Sequence, residues 1–177
     1  MALPRNPRSH EIRLETLAEH HVVAPEAWVH DPDVLRFTNV PDPPPPDFVE
    51  SWFAAYEEGR RDGTREAFAI LDDEDAFLGF ALAFKIDLEG RQVELGYALV
   101  PEARGRGAAT AALSILTQWA FAELGVARIE LRISAANVAS QGVARRCGYT
   151  YEGTLRSLYF KQGLRDDTQV WSRLETD

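Results

Sequence analysis

Apolar and polar residues alternate from Glu11 to Leu17, with Ile12 and Leu14 between polar neighbours, and that period of two predicts a strand. Residues 18–30 read as a short helix. The stretch from Val40 to Asp47, dense in proline, is neither regular helix nor central strand, because proline fixes φ and lacks an N–H. Asp47 is placed to cap the next helix, with Glu50 three residues on as a capping box requires. That helix carries Phe48, Trp52, Phe53 and Tyr56 and is expected to end near Gly59. Ala67–Leu71 and Phe77–Phe84 read as a hairpin around Asp72-Asp73-Glu74-Asp75, and Val93–Val100 as a third strand. From Arg104 to Leu124 the period changes: Ala109, Ala112, Leu113, Leu116, Trp119, Ala120 and Leu124 recur at three and four, the mark of an amphipathic helix packed on a sheet. A strand at Arg128–Ile133, a short helix at 138–146 and strands at 147–155 and 168–174 complete the reading.

The resulting order, β-α-α-β-β-β-α-β-α-β-β, predicts one α/β domain of α+β type over residues 1–177, its mainly antiparallel sheet flanked by helices. No repeat or linker divides the chain, and 177 residues suffice to bury a substantial core.

Charge narrows the function. Residues 1–94 carry 9 basic and 20 acidic side chains against 10 and 8 in 95–177, for a net −9. General nucleic-acid affinity rests on neutralising phosphates with Lys and Arg, so no nucleic-acid partner is expected. The mildly basic second half favours anionic ligands and the acidic first half cationic ones, although a solvated acidic surface accounts for the same counts. No run of eighteen apolar residues suits a membrane span, and the first eight residues lack the apolar core of a secretory signal. Cys147 is the lone cysteine, and the four histidines lack metal-ligand spacing. A cytoplasmic protein without a metal is expected.

Candidate chemistry concentrates at Glu94–Thr110. A strand runs into Arg104-Gly105-Arg106-Gly107, and a long helix opens directly from this loop. Helix N-termini leave backbone N–H groups unpaired at the positive end of the macrodipole, and glycines let a phosphate approach them. Arg104 and Arg106 add positive charge at the rim, so the segment reads as a pyrophosphate cradle. It lacks the Gly-Lys-Ser/Thr ending of a nucleotide P-loop, and four strands precede its glycines, unlike a dinucleotide fingerprint. A structural turn before a helix is the plain alternative.

Arg104-Gly105-Arg106-Gly107-Ala108-Ala109 resembles the Arg/Gln-x-x-Gly-x-Gly/Ala loop of the GNAT acyltransferases. A second match follows: Asn137-Val138-Ala139-Ser140, then Ala144-Arg145-Arg146-Cys147-Gly148-Tyr149, similar to the Asn-x-x-Ser…Gly-Phe segment of the branch containing ribosomal-protein N-terminal acetyltransferases (RimJ/RimL-like). Glu152–Arg156 and Asp167 fit that branch as well, and the Trp28…Asp31-Pro32-Asp33-Val34 stretch resembles its acceptor-side helices. The resemblance implies an acetyl-CoA-dependent N-acetyltransferase whose central sheet is splayed in the middle, between the strand before the loop and that at 128–133. It implies that pantetheine lies in the gap against the backbone of Leu99 and Val100. The pyrophosphate would rest on the amides of Arg104, Gly105, Arg106, Gly107, Ala108, Ala109 and Thr110, with Asn137 and Ser140 facing the pantetheine arm.

Amine acylation needs a neutral amine, a polarised thioester and a proton for the departing thiolate, with no covalent enzyme intermediate. Glu94 is the candidate base and Ser140 the candidate group on the thiolate side. Glu94 also reads as a strand-edge ion pair, Ser140 as a helix serine bonding the backbone, and Asn137 as an N-cap. Many family members place a tyrosine acid seven residues after the asparagine; here that position is Ala144, leaving Tyr159 or Tyr97 as substitutes. Trp28, Phe37, Trp52 and Tyr97 are candidates for the acceptor cleft, although aromatics at helical spacing also build cores. Cys147 reads as a small core residue. The acceptor is an amine, either a peptide N-terminus or a small molecule, and the protein a monomer or homodimer. A longer acyl donor such as succinyl-CoA, or a non-catalytic coenzyme A-binding module, which Ala144 favours, are the competing readings.

Overall fold

The computed structural model describes residues 12–22 and 28–177. The chain runs β1 (Arg13–Thr16), α1 (Glu19–Val22), α2 (Pro32–Phe37), α3 (Phe48–Arg61), β2 (Arg65–Leu71), β3 (Phe77–Asp87), β4 (Gln92–Leu99), α4 (Ala108–Trp119), β5 (Arg128–Ser134), α5 (Val138–Arg146), β6 (Thr150–Lys161) and β7 (Leu164–Leu174). The seven strands among the described residues join one sheet in the order β1-β2-β3-β4-β5-β7-β6. Every neighbouring pair is antiparallel except β4 and β5.

Each face of the sheet is covered by helices. Alternation along β3 and β4 sends Ala81, Ala83, Val93, Leu95 and Leu99 into one cluster with Leu113 and Leu116 of α4 and Val143 and Ala144 of α5. Phe80 points the other way, into a second cluster with Trp28, Val34 and Tyr56 from the segments around α2 and α3. Because both faces are covered, β2 is buried from Ala67 to Leu71 without alternation. The helix opening from the glycine loop is alanine-rich on its sheet side, with Ala108, Ala111 and Ala112 buried beside Leu113, Ile115 and Leu116, so it packs close to the strands.

Several elements differ from the sequence expectations. The helix expected over 18–30 is a single turn, α1, and residues 23–27 of that span fall outside the described ones. An additional short helix, α2, starts at Pro32, where the Asp31 side chain accepts from the amides of Asp33 and Val34. Asp47 does precede α3, but its side chain makes no cap hydrogen bond, so the capping box does not form. The 104–124 segment divides into a loop, α4 and a π-helical turn at Ala120–Leu124 closed by Gly125 in the left-handed conformation. The last two strands extend to meet at residues 161–164, because turn-forming Gln162 and Gly163 carry the required positive φ.

Candidate active site

The parallel strands β4 and β5 pair only at Gln92–Arg128, Val93–Ile129 and Glu94–Glu130. Beyond these pairs β4 continues to Leu99 and β5 to Ser134, with no strand partner on the facing side among the described residues. Backbone polar groups cost free energy when buried unpaired, so a gap of this kind is held open by the outer pairings with β3 and β7, and its two edges remain available for hydrogen bonding. At the far end of β4 some groups are already used. The Val100 amide donates to the Leu78 carbonyl, the Val100 carbonyl accepts from Ala103, and the Leu99 carbonyl accepts from Arg104. The open edge of β4 therefore begins at Leu95, beyond the last β4–β5 pair, and ends before Val100, whose polar groups are already paired.

A turn at Pro101–Ala103 leads from β4 into the loop, where Gly105 and Gly107 adopt φ of 73° and 87°. Those left-handed conformations favour glycine and turn the chain into α4. Among the described residues, the amides of residues 105–110 have no hydrogen-bond acceptor, and Gly107 at the cap position supplies no side chain to satisfy them. Arg104 is used differently from a phosphate ligand. Its Nη2 lies 2.6 Å from Asp31 Oδ1 and 3.0 Å from the Leu99 carbonyl, and its Nη1 3.1 Å from Asp33 Oδ2, so it ties the start of α2 to the end of β4. Burial works against the Asp31 carboxylate, but Arg104 and the Val34 and Asp33 amides outweigh it and hold its pKa below the ordinary value. Arg106 is exposed. Thr110 accepts from Arg146 Nε at 3.1 Å through its hydroxyl.

Glu94, the last paired residue of β4, is 7% exposed and faces away from α4. Its Oε2 lies 2.6 Å from Lys85 Nζ and 3.6 Å from Arg132 Nε. Its Oε1 makes no hydrogen bond among the described residues. From here ion pairs run across the sheet: Arg132 to Glu130 at 2.8 Å, Glu130 to Arg128 at 3.0 Å, and Arg128 to Glu152 at 2.6 Å. Arg128 and Ser172 pull the Glu152 carboxyl down to about 2.

On the opposite face of β4, the Tyr97 hydroxyl lies 3.0 Å from Ser140 Oγ, bridging β4 and α5. Asn137 accepts from the Ser140 amide as the N-cap of α5, which fixes Ser140 in the first turn. Burial pushes the Tyr97 phenol up to about 12, against the hydrogen bond from Ser140, which lowers it. The phenol thus stays protonated at neutral pH. Ala144, on the inner side of α5, is fully buried.

The fold thus brings Glu94, Tyr97, Asn137 and Ser140 together around one gap with the 104–110 loop at its end. The aromatic candidates are distributed otherwise. Trp28 and Trp52 stack edge-on against Phe80, at 5.1 and 4.9 Å between ring centroids, as part of the second core cluster. The Trp28 indole N–H is buried and has no partner among the described residues. Phe37 is half-buried under the Arg36 guanidinium. Tyr159, at the β6–β7 end, is partly exposed. Cys147 is buried and donates to the Thr110 carbonyl; burial pushes its thiol up to about 11, as befits an inert core residue. Glu15, His20 and His21 come within 4.8 Å of one another on β1 and α1, at the sheet edge away from the gap. Lys85 and Arg132 escaped the sequence reading. The signal was present in β5, where Arg128, Glu130 and Arg132 alternate with Ile129, Leu131 and Ile133, but only register shows that the charged face meets Glu94.

Residues 11–150 match the family model described as an acetyltransferase (GNAT) domain. An uncharacterized N-acetyltransferase of Bacillus subtilis, YoaA, is 32% identical over 127 residues, covering 70% of this chain and 68% of that protein. Among solved structures, the ribosomal L7/L12 alpha-N-protein acetyltransferase RimL in complex with coenzyme A superposes with a TM-score of 0.87 at 20% identity, over 98% of both chains. Spermidine N-acetyltransferase from Vibrio cholerae, in complex with CoA and spermine, superposes with a TM-score of 0.83 at 18% identity, over 93% of this chain and 96% of the other. No helix among the described residues is long and apolar enough to cross a membrane. With its split parallel pair, its unpartnered amide loop and the family match over most of its length, the chain belongs to the GNAT acetyltransferases.

Proposed function

We propose that this N-acetyltransferase transfers an acetyl group from acetyl-CoA to a primary amine by direct attack within the β4–β5 gap. The observation that carries the reading is the gap itself, open beyond Glu94 and Glu130 and ending at six unpartnered amides. The pyrophosphate of coenzyme A is held by the amides of residues 105–110 at the N-terminus of α4, with exposed Arg106 adding charge. The pantetheine arm pairs with the open edge of β4 that begins at Leu95 and passes Asn137 and Ser140. Coenzyme A bound to the RimL and spermidine acetyltransferase structures supports this assignment through the shared fold.

Glu94 and the Tyr97–Ser140 pair lie on opposite faces of β4, and that separation gives them different tasks. On one face the amine loses a proton to Glu94 Oε1, directly or through a water, as it attacks the thioester carbonyl. The C–N bond forms, the C–S bond breaks, and on the other face Tyr97, hydrogen-bonded to Ser140, gives its proton to the departing sulfur. Tyr97 in this way replaces the acid missing at Ala144. The buried Ala144 is the observation that favours a non-catalytic coenzyme A-binding module, and two neighbouring hydroxyls at the gap argue against it.

Thermal unfolding with acetyl-CoA, ATP and NAD, followed by thiol release with an amine panel, tests the reading. At about a hundred times its Kd a ligand adds roughly 2.7 kcal/mol to the folded state, a melting shift of about 5–10 °C for a domain this size. Acetyl-CoA alone is expected to give it. Glu94→Gln is expected to abolish most thiol release and keep the shift. No shift with any acyl-CoA removes the acyltransferase reading, and a shift without turnover favours the binding module.

A further inference from the structure

We infer that the acceptor carries a carboxylate close to its amine and that Arg132 binds it, which makes the substrate an amino acid or a peptide with an acidic first residue rather than a polyamine. The inference rests on the acetyltransferase reading above and concerns the acceptor side of the same gap. The β5 side chains that share the Glu94 face are Arg128, Glu130 and Arg132. Both Nη groups of Arg128 are already spent on Glu130 and Glu152. Both oxygens of Glu130 are engaged too, because Oε1 accepts from Arg132 and Oε2 from Arg128. Arg132 spends only Nε, on Glu130 with Glu94 nearby; its Nη1 and Nη2 make no hydrogen bond among the described residues. It sits two residues past the last β4–β5 pair, at the lip of the gap, with 31% of its side chain exposed.

Two cations, Lys85 and Arg132, therefore lie within 4 Å of the one carboxylate expected to receive the amine, and the neighbouring acids are already neutralised. A polyamine approaching Glu94 would bring further positive charge against them, and Glu130, the acid beside Arg132 on the same face, is already paired. A carboxylate instead finds a planar guanidinium edge with two free donor nitrogens, a geometry that suits bidentate pairing. The amine at Glu94 Oε1 and a carboxylate at the Arg132 Nη groups stand only a few ångströms apart, the spacing inside an α-amino acid or an acidic N-terminal residue. The net acidity of the first half of the chain pointed to a cationic ligand, but the charges on this face balance, and the Arg132 Nη groups are the polar atoms left over.

Initial rates of thiol release from acetyl-CoA, measured on the full chain with matched acceptors, test this. The pairs are an N-terminal aspartyl peptide against its asparaginyl counterpart, and alanine against alaninamide, with spermidine alongside. A charge-assisted bond lost to the neutral partner predicts about a tenfold or larger preference in kcat/KM for the carboxylate member of one pair, and the pair that shows it distinguishes peptide from amino acid. Arg132→Gln is expected to collapse that ratio, chiefly through KM, and Arg132→Lys to restore part of it. Because any disturbance of Glu94 affects both members of a pair alike, the ratio reports the carboxylate contact alone. Preference for the neutral members or for spermidine, or a ratio that survives Arg132→Gln, overturns the inference and leaves the acetyltransferase reading intact. No thiol release with any acceptor overturns both.

Discussion

Replacing Arg104 separates two roles that its place in the glycine loop confuses. As a phosphate ligand its loss would weaken acetyl-CoA binding and leave stability alone. The structure instead makes it a cross-brace between α2, β4 and the loop, through Asp31, Asp33 and the Leu99 carbonyl. A fully buried pair broken at one end costs about 3–5 kcal/mol, and an exposed one about 0–1. Arg104 lies between these limits at 31% exposure, while the Asp31 side chain left behind is only 11% exposed. Arg104→Gln is therefore expected to cost about 2 kcal/mol, a fall in Tm of about 4–8 °C for a domain of this length. Asp31→Asn tests the partner cleanly, since asparagine caps a helix as well as aspartate while removing the charge. A double-mutant cycle by urea unfolding should give a coupling of about 1 kcal/mol. The pH dependence has a definite sign. Asp31 has a depressed pKa, so its contribution is full above the unfolded value near about 3.9 and is lost as pH falls through the lower folded value. The gap between wild type and Arg104→Gln should close in that acid range. A coupling below about 0.5 kcal/mol, or an unchanged Tm with acetyl-CoA affinity reduced tenfold, would refute the brace.

Further outcomes follow from single contacts. Tyr97→Phe keeps the ring and removes the phenol, and steady-state kinetics should show kcat reduced about a hundredfold with little change in KM for acetyl-CoA; an unaltered kcat assigns the acid elsewhere. Gly79→Ala would place a Cβ 2.1 Å from the Ala98 carbonyl oxygen and 2.8 Å from Leu99 Cα, both backbone atoms, and should destabilise the fold by about 2–3 kcal/mol in urea. A variant that melts with wild type means this approach of β3 to β4 is looser than described. Glu152, held at about 2 by Arg128 and Ser172, stabilises the fold above its unfolded value of about 4.3 and loses that contribution as pH falls toward 2. Tm measured from pH 6 downward should therefore fall less steeply through this range in Arg128→Gln than in the wild type.

The sequence by itself determined much of the frame. Period two and period 3.6 marked most of the strands, α3 and α4, because side-chain direction repeats with those periods wherever one face is buried. Gly105 and Gly107 were legible as the start of a helix with open amides, because the local conformation needs their positive φ whatever surrounds them. The family motifs at Arg104–Ala109 and Asn137–Tyr149 carried the fold class and the acetyltransferase assignment. Elements whose order depends on distant contacts left no mark in the periodicity: α2, at a stretch that only the family resemblance marked as helical, is six residues long and is braced by Arg104 from 73 residues away. The ends of β6 and β7 are fixed by a hairpin whose residues 156–160 look irregular alone.

What only the tertiary structure decided is which residues face one another across the gap. Glu94 and Tyr97 are three apart in sequence and so fall on opposite faces of β4, while Ser140 reaches Tyr97 from α5 and Arg132 reaches Glu94 from β5. Strand order and the point at which β4 and β5 stop pairing set those meetings. Both depend on the packing of helices on each side of the sheet. A residue's identity and period record its own burial, whereas the charge it meets belongs to another segment and enters only when the chain closes.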